Sequence, residues 1–274
     1  MEHVSHRHGG DLKRAQSLYG GDAAQWLDLS TGINPVPYSV DDLPASVWTA
    51  LPDAPAFDAV IAAARQFWSV PDHLEIVIAP GASALIAAVP RILTGNTVHI
   101  LAPTYTEHAT AFATCGWTNQ TSAADVIVGV HPNNPDGVLR TDQDFQNAHL
   151  AVIDESFADI GAPSFVTRDG PTIVLKSFGK FWGLAGLRLG FAICAPKHAT
   201  ALRDLLGPWS ASGPALNIAA RALNDHAWAD ATRARLANDA DAVDGLFTQA
   251  GARCVGGTSL FRLYDVEDAP AWQA

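Results

Sequence analysis

Leu175-Lys176-Ser177-Phe178-Gly179-Lys180-Phe181-Trp182-Gly183-Leu184-Ala185-Gly186-Leu187-Arg188-Leu189-Gly190 is the stretch around which the chain is organised. A hydroxyl stands three residues before Lys180 and a guanidinium eight after it. Both lie in a glycine-rich turn that leads from one apolar strand (Thr172 to Leu175) into another (Leu189 to Ile193). Glycines at 179, 183, 186 and 190 let the backbone pass close to a ligand, so Lys180 and Arg188 can both turn towards one anion or aldehyde. Taken singly, a lysine in a loop reads as solvated and an arginine as structural.

A lysine used in this way forms a Schiff base with a carbonyl, most often the aldehyde of pyridoxal 5'-phosphate (PLP), and Ser177 and Arg188 would then hold the phosphate of the same cofactor. The whole pattern, Ser-x-x-Lys with Gly at plus six and Arg at plus eight, resembles the cofactor-lysine segment of fold-type I PLP enzymes, the aspartate aminotransferase superfamily. The resemblance implies an α/β fold: a mostly parallel sheet sandwiched by helices, plus a small split α+β domain.

Composition sets the limits. A chain of 274 residues, 48% of them hydrophobic, can bury a large core. Seventeen basic against 28 acidic residues give a net charge of −11, which argues against nucleic acid or an anionic membrane as partner. No apolar run reaches the length of a membrane span and the N-terminus lacks the apolar core of a signal peptide, so the cytoplasm is expected. Cys115, Cys194 and Cys254 are too few and too scattered for a disulfide framework or a zinc site. The three histidines within Met1 to His8 read as a solvated terminus, and no metal is expected.

Along the chain, Leu12, Ala15 and Leu18 have helical spacing, and Pro35 to Pro55 reads as a loop. A helix is predicted from Phe57 to Trp68, then a strand Glu75 to Ala79 running through Pro80-Gly81-Ala82-Ser83 into a second helix ending near Leu93. A strand, a small-residue turn and a helix N-terminus form an anion site, because free N–H groups point outward there. In the superfamily the amides of Ala82 and Ser83 would meet the cofactor phosphate. Strands at Val98 to Leu101, Val126 to Val130, Ala151 to Ile153, Thr172 to Leu175 and Leu189 to Ile193 alternate with helices at Glu107 to Cys115 and near Thr141 to Asn147. Ligands in such sheets bind beyond the strand C-termini.

The polar residues at those ends suit a PLP site. Tyr105 follows the second strand and can stack on the pyridine ring. His131-Pro132-Asn133-Asn134-Pro135-Asp136-Gly137 resembles the superfamily's Asn-Pro-Thr-Gly turn, which implies that Asn134 bonds the cofactor's phenolic oxygen; without that context it is an ordinary turn. Asp154, directly after a buried strand, is costly unless paired, and a protonated pyridine nitrogen is a suitable partner. Phe157 stands where many aminotransferases have Tyr. Lys180, Asp154 and Tyr105 are therefore the candidate catalytic residues. Ala82, Ser83, Tyr105, Asn134, Asp154, Ser177, Lys180 and Arg188 form the candidate cofactor set.

Near the N-terminus, His8-Gly9-Gly10-Asp11 and Asp28-Leu29-Ser30-Thr31-Gly32-Ile33-Asn34-Pro35 resemble the arm of the cobalamin-pathway threonine-phosphate decarboxylases, a branch close to the histidinol-phosphate aminotransferases. In that family the arm closes over the substrate, which implies substrate contacts from His8, Gly9, Gly10, Gly32 and Asn34. Asp11 stands where many relatives have Asn. Leu51-Pro52-Asp53 replaces a Tyr-Pro-Asp turn whose tyrosine, in relatives, reaches the phosphate of a neighbouring subunit; a homodimer is expected by this analogy.

The resemblance divides the chain into an N-terminal arm with part of the small domain (1–35), a large PLP-binding domain (36–208) and a small C-terminal domain (209–274). From Ala201 to Asp225 the pattern is helical with a break at Gly207-Pro208-Trp209 and Ser212-Gly213-Pro214, and a long helix follows to about Ala250. A strand, Ser259 to Tyr264, precedes Asp268-Ala269-Pro270-Ala271-Trp272, which reads as an N-cap and first helical turn; the small domain is expected to be incomplete. Arg262 reads as structural or exposed. The activity implied is PLP-dependent decarboxylation of a small phosphorylated amino acid, L-threonine O-3-phosphate. The alternatives are a histidinol-phosphate-type aminotransferase and a PLP-fold binding protein without turnover.

Overall fold

The computed structural model describes residues 9–121 and 123–273. In chain order its helices are α1 (Leu12–Tyr19), α2 (Ser46–Thr49), α3 (Ala54–Phe67), α4 (Ala82–Ile92), α5 (Glu107–Thr114), α6 (Pro196–Leu206), α7 (Gly213–Asn224), α8 (His226–Gln249) and α9 (Ala269–Gln273). The strands are β1 (Glu75–Ala79), β2 (Thr97–Ile100), β3 (Thr118–Asn119), β4 (Val126–Val130), β5 (Leu150–Asp154), β6 (Thr172–Ser177), β7 (Gly190–Cys194), β8 (Arg253–Thr258) and β9 (Phe261–Asp265).

Seven strands form one sheet in the order β1-β7-β6-β5-β4-β2-β3, parallel throughout except for β7, which runs against both neighbours. β4, β5 and β7 are buried along their whole length, as strands covered on both faces must be. One core cluster fills one side with α3, α7 and part of α8 against Phe178, Phe181 and Trp182; another fills the other side with α4, α5 and α6. Caps fix several helix starts: Asp53 accepts from the Ala56 N–H at 3.1 Å, Ser212 from Ala215 at 3.3 Å and Asp225 from Trp228 at 2.9 Å.

The mostly parallel sheet and its covering helices agree with the sequence reading, and the differences have local causes. The segment near Thr141 to Asn147 is a single 3-10 turn, Asp142–Phe145, closed by a reciprocal Thr141–Asp144 capping box. The loop from Pro35 to Pro55 contains α2. The strand expected from Ser259 is the second half of a hairpin, β8–β9. α7 packs on α3: Ala215, Leu216, Ile218, Ala219, Ala222 and Leu223 are buried in the same cluster as Val60, Ala63 and Ala64. Asp11 caps α1, accepting from the Arg14 N–H at 3.1 Å, a role in which an acid serves as well as Asn. No helix among the described residues is long and apolar enough to cross a membrane.

Candidate active site

The strand register gathers the polar residues at one end of the sheet. Asp154 ends β5 opposite Val130 of β4 and Leu175 of β6; Ser177 ends β6 opposite Gly190, which pairs in turn with Ala79 at the end of β1. Because β7 runs backwards, the Lys180 turn starts and finishes at this same end.

Asp154 is 3% exposed. One oxygen lies 3.0 Å from Nε2 of the buried His108 on α5; the other accepts from the Ser156 N–H at 2.9 Å and its hydroxyl at 2.5 Å. Burial pushes the carboxyl pKa up, but the bond and charge of His108 and the two bonds from Ser156 outweigh it and hold Asp154 below the usual carboxylate range. The site therefore keeps a buried anion ready for a cationic partner. His108 is the residue that sequence reading missed: a lone histidine on a helix gives no signal until its distance to Asp154 is known.

Lys180 is half-buried, its Nζ 5.2 Å from the centroid of the Phe157 ring. Burial lowers its pKa, the Asp154 charge raises it and the Arg188 charge lowers it again, with a net decrease. Tyr105 feels the same groups: burial, Glu107 and Asp154 raise its pKa while Arg188 lowers it. Lys180, Asp154, Tyr105 and Arg188 thus share one electrostatic environment.

A second cluster forms an anion cradle. Arg188 adopts a left-handed backbone (φ 54°), and its guanidinium donates to Ser83 Oγ at 2.9 Å and to the Ala185 carbonyl at 3.0 Å. No side chain caps the N-terminus of α4, where the Ala82 and Ser83 amides lie. Glycine is required on two sides: a Cβ at Gly81 would sit 2.5 Å from Arg188 Nη2, and one at Gly190 would sit 2.4 Å from the Ala82 nitrogen. Ser177 Oγ, at the start of the same turn, accepts from the Gly179 N–H at 3.2 Å. Unfilled helix amides, two hydroxyls and a guanidinium are the donor set a phosphate monoester needs. A carboxylate, an amine of lowered basicity and this cradle match the ring nitrogen, aldehyde and phosphate of PLP.

Other expected residues are placed as follows. Asn133 organises the turn after β4, donating to the Pro103 carbonyl at 2.9 Å and to Asp136 at 2.8 Å. Asn134 is half-buried and its side chain makes no hydrogen bond among the described residues. The Gly257 N–H donates to the Asp136 carbonyl at 2.9 Å, which brings the β8–β9 hairpin onto this turn. In the arm, the Gly10 N–H donates to Ser30 Oγ at 2.7 Å, and Gly9 packs against the Ser30 carbonyl, so that Gly9 and Gly10 are tied to the second arm motif. Gly32 lies against Phe157, where a Cβ would be 3.0 Å from the ring, and Phe261 of β9 crosses the same ring edge-on at 4.8 Å. His8 lies outside the described residues. Asn34 is 2% exposed, and its amide is engaged by Phe181, Val36 and Arg235. Arg262 pairs with Asp244 of α8 at 2.5 Å, a structural role.

Comparison with known proteins adds to this geometry. The family model for aminotransferase class I and II matches residues 118–273. A threonine-phosphate decarboxylase from Sinorhizobium sp is 34% identical over 94% of this chain and 83% of its own length. Another from Pseudomonas aeruginosa is 36% identical over the same shares, 94% and 83%. Among solved structures, the histidinol-phosphate aminotransferase of Sinorhizobium meliloti in complex with pyridoxal-5'-phosphate superposes with a TM-score of 0.68 at 19% identity, covering 78% of this chain and 66% of that one. The fold-type I architecture implied by the Lys180 segment is the one found.

Proposed function

The chain belongs to the class I and II aminotransferase family, and within it we propose that it decarboxylates L-threonine O-3-phosphate to (R)-1-amino-2-propanol O-2-phosphate, a step of cobalamin biosynthesis, with pyridoxal 5'-phosphate as cofactor. The observation that carries this reading is likeness to threonine-phosphate decarboxylases over 94% of the chain, combined with the clustering of Lys180, Asp154 and Arg188 at one sheet end.

Lys180 would hold the cofactor aldehyde, Asp154 its ring nitrogen and Asn134 its phenolic oxygen. Tyr105 would lie on its ring, while Ser177, Arg188, Ser83 and the Ala82 and Ser83 amides would take its phosphate. When bound, the cofactor supplies an electron sink for the bond broken at the substrate Cα. The protein's own contribution is positional and protonic. His108 and Ser156 keep Asp154 ionised, so that it stabilises a positive charge opposite it. Lys180, whose pKa burial lowers, has an unprotonated Nζ over a wider pH range than an exposed lysine, so Nζ would accept a proton from the substrate ammonium and would hand that proton to Cα after CO2 leaves. Phe157, Gly32 and Phe261 form an apolar wall beside Nζ that limits water.

The active form is assigned as a cytoplasmic homodimer acting on a small phosphorylated amino acid. Exposed Trp48 and Leu51, each 68% accessible and three residues apart, support an apolar contact between copies. The deciding experiment is the visible absorbance of the purified protein, with and without L-threonine O-3-phosphate, beside Lys180→Ala. A cofactor band that disappears in the variant and shifts with substrate, accompanied by CO2 without any need for a keto acid, is the expected result. Amino transfer to 2-oxoglutarate without CO2 would instead assign an aminotransferase.

A further inference from the structure

The chain from Asn34 to Tyr38 runs along the outside of the Lys180 turn and bonds to it at both ends. The Asn34 N–H donates to the Lys180 carbonyl at 3.0 Å, Asn34 Nδ2 to the Phe181 carbonyl at 2.9 Å and the Tyr38 N–H to the Trp182 carbonyl at 3.0 Å. Three consecutive carbonyls are thereby fixed. Contact is so close at Gly183 (φ 69°) that a Cβ there would be 2.7 Å from Pro37 Cα and 2.8 Å from the Asn34 carbonyl oxygen.

The Asn34 amide is itself held. Its Oδ1 accepts from the Val36 N–H at 3.0 Å and from Arg235 Nη2 at 2.6 Å; the other Arg235 nitrogen bonds Asp239, one turn further along α8, at 2.7 Å. The Lys180 amine has no comparable support. Among the described residues its Nζ makes no hydrogen bond, and it lies 5.2 Å from the centroid of the Phe157 ring. A flexible four-carbon stem with a free end points where its backbone aims it.

We propose that Asn34 and Arg235 are positioning residues for Lys180, fixing the carbonyls of Lys180 and Phe181 so that Nζ is directed at the reacting carbon. This rests on the decarboxylase reading above, but the placement of Nζ can be measured without it. Arg235 suits the task because its planar fork spans two acceptors at once. It also makes α8, the helix that leads to the β8–β9 hairpin, part of the support of the lysine.

The test compares wild type with Arg235→Met and Arg235→Lys, each first confirmed as folded by circular dichroism. The first readout needs no cofactor: the rate at which an amine-acylating reagent labels Lys180, followed by peptide mass across pH. In Arg235→Met the midpoint of that profile is expected to rise towards that of free lysine as Nζ leaves its half-buried position. The second readout is turnover of L-threonine O-3-phosphate by the PLP-loaded protein. A misdirected lysine is expected to lower kcat about tenfold with KM little changed, and Arg235→Lys is expected to recover part of the loss. Unchanged labelling and kcat, with only the melting temperature lowered, would reduce the bracket to a structural one and overturn the proposal. A rise in KM alone would overturn it too, by making Arg235 a substrate ligand. If wild type fails to turn over while its labelling profile still responds to Arg235→Met, the positioning stands and the decarboxylase reading falls.

Discussion

His108 Nε2 lies 3.0 Å from Asp154 Oδ2, and both side chains are almost wholly shielded from water. His108→Ala removes one of the supports that hold the Asp154 pKa below the carboxylate range. An acid whose folded pKa is depressed stabilises the fold above its unfolded pKa and loses that contribution as pH falls through the folded value. The variant is therefore expected to be about 1–3 kcal/mol less stable at neutral pH, and to unfold in acid at a higher pH than wild type. Acid titration followed by circular dichroism checks this; coincident curves would show that His108 gives Asp154 no support.

The Lys180 amine should capture an aldehyde at lower pH than an ordinary lysine, because burial lowers its pKa and the neutral form is the nucleophile. Asp154 raises that pKa and Arg188 lowers it, so two variants should move the profile in opposite directions. Asp154→Asn should shift the capture midpoint to lower pH and Arg188→Leu to higher pH. Stopped-flow uptake of PLP across pH measures both, and shifts of the same sign would sink the electrostatic account.

The cradle predicts an order of cofactor affinities. Arg188→Ala removes a charge-assisted donor and should weaken PLP binding about tenfold or more, whereas Ser83→Ala should weaken it only a few-fold. Gly81→Ala puts a Cβ 2.5 Å from Arg188 Nη2 at a φ of 92°, and should lower affinity although it deletes no donor. Equilibrium titration with PLP ranks the three; an unaffected Gly81→Ala would mean that the guanidinium and α4 need not approach so closely.

Beneath the site, Lys176 is 2% exposed and lies 2.6 Å from Glu155 Oε2 and 3.5 Å from Asp159 Oδ1. Asp159 also accepts from the Trp68 and Trp182 indoles at 2.9 and 3.1 Å. Lys176→Met leaves two buried carboxylates without their cation and should cost about 3–5 kcal/mol. Urea unfolding gives the value, and a loss below about 1 kcal/mol would place the cluster in the class of exposed pairs.

Much of this was legible in the sequence, and what was not has particular causes. β1 and β4 were bounded to the residue by their apolar runs. β3 escaped because Thr118–Asn119 is a two-residue polar edge with no periodicity to detect. β8 escaped because Gly256 and Gly257 interrupt it and its exposed residues form no apolar face. The packing of α7 on α3 was not legible, because Gly207-Pro208 interrupts the helical pattern and burial against α3 is a property of the folded core. Asn34 belongs to a recognisable motif, but its use as a brace depends on Arg235, 201 residues away.

The pleat of β6 carries a further consequence, for the sequence changes this chain can tolerate. Lys176 and Ser177 are neighbours on one strand and so point to opposite faces: Lys176 roots the strand in the ion cluster, and Ser177 faces the turn that bears Lys180. Foundation and site are thus interleaved with a period of two. Most surface loops here can absorb an inserted residue, but an insertion within β6 would exchange the two faces, sending an ammonium into the phosphate cradle and a hydroxyl into a nest of carboxylates and indoles. Descendants of this sequence are therefore free to lengthen their connections while the spacing of this strand stays fixed.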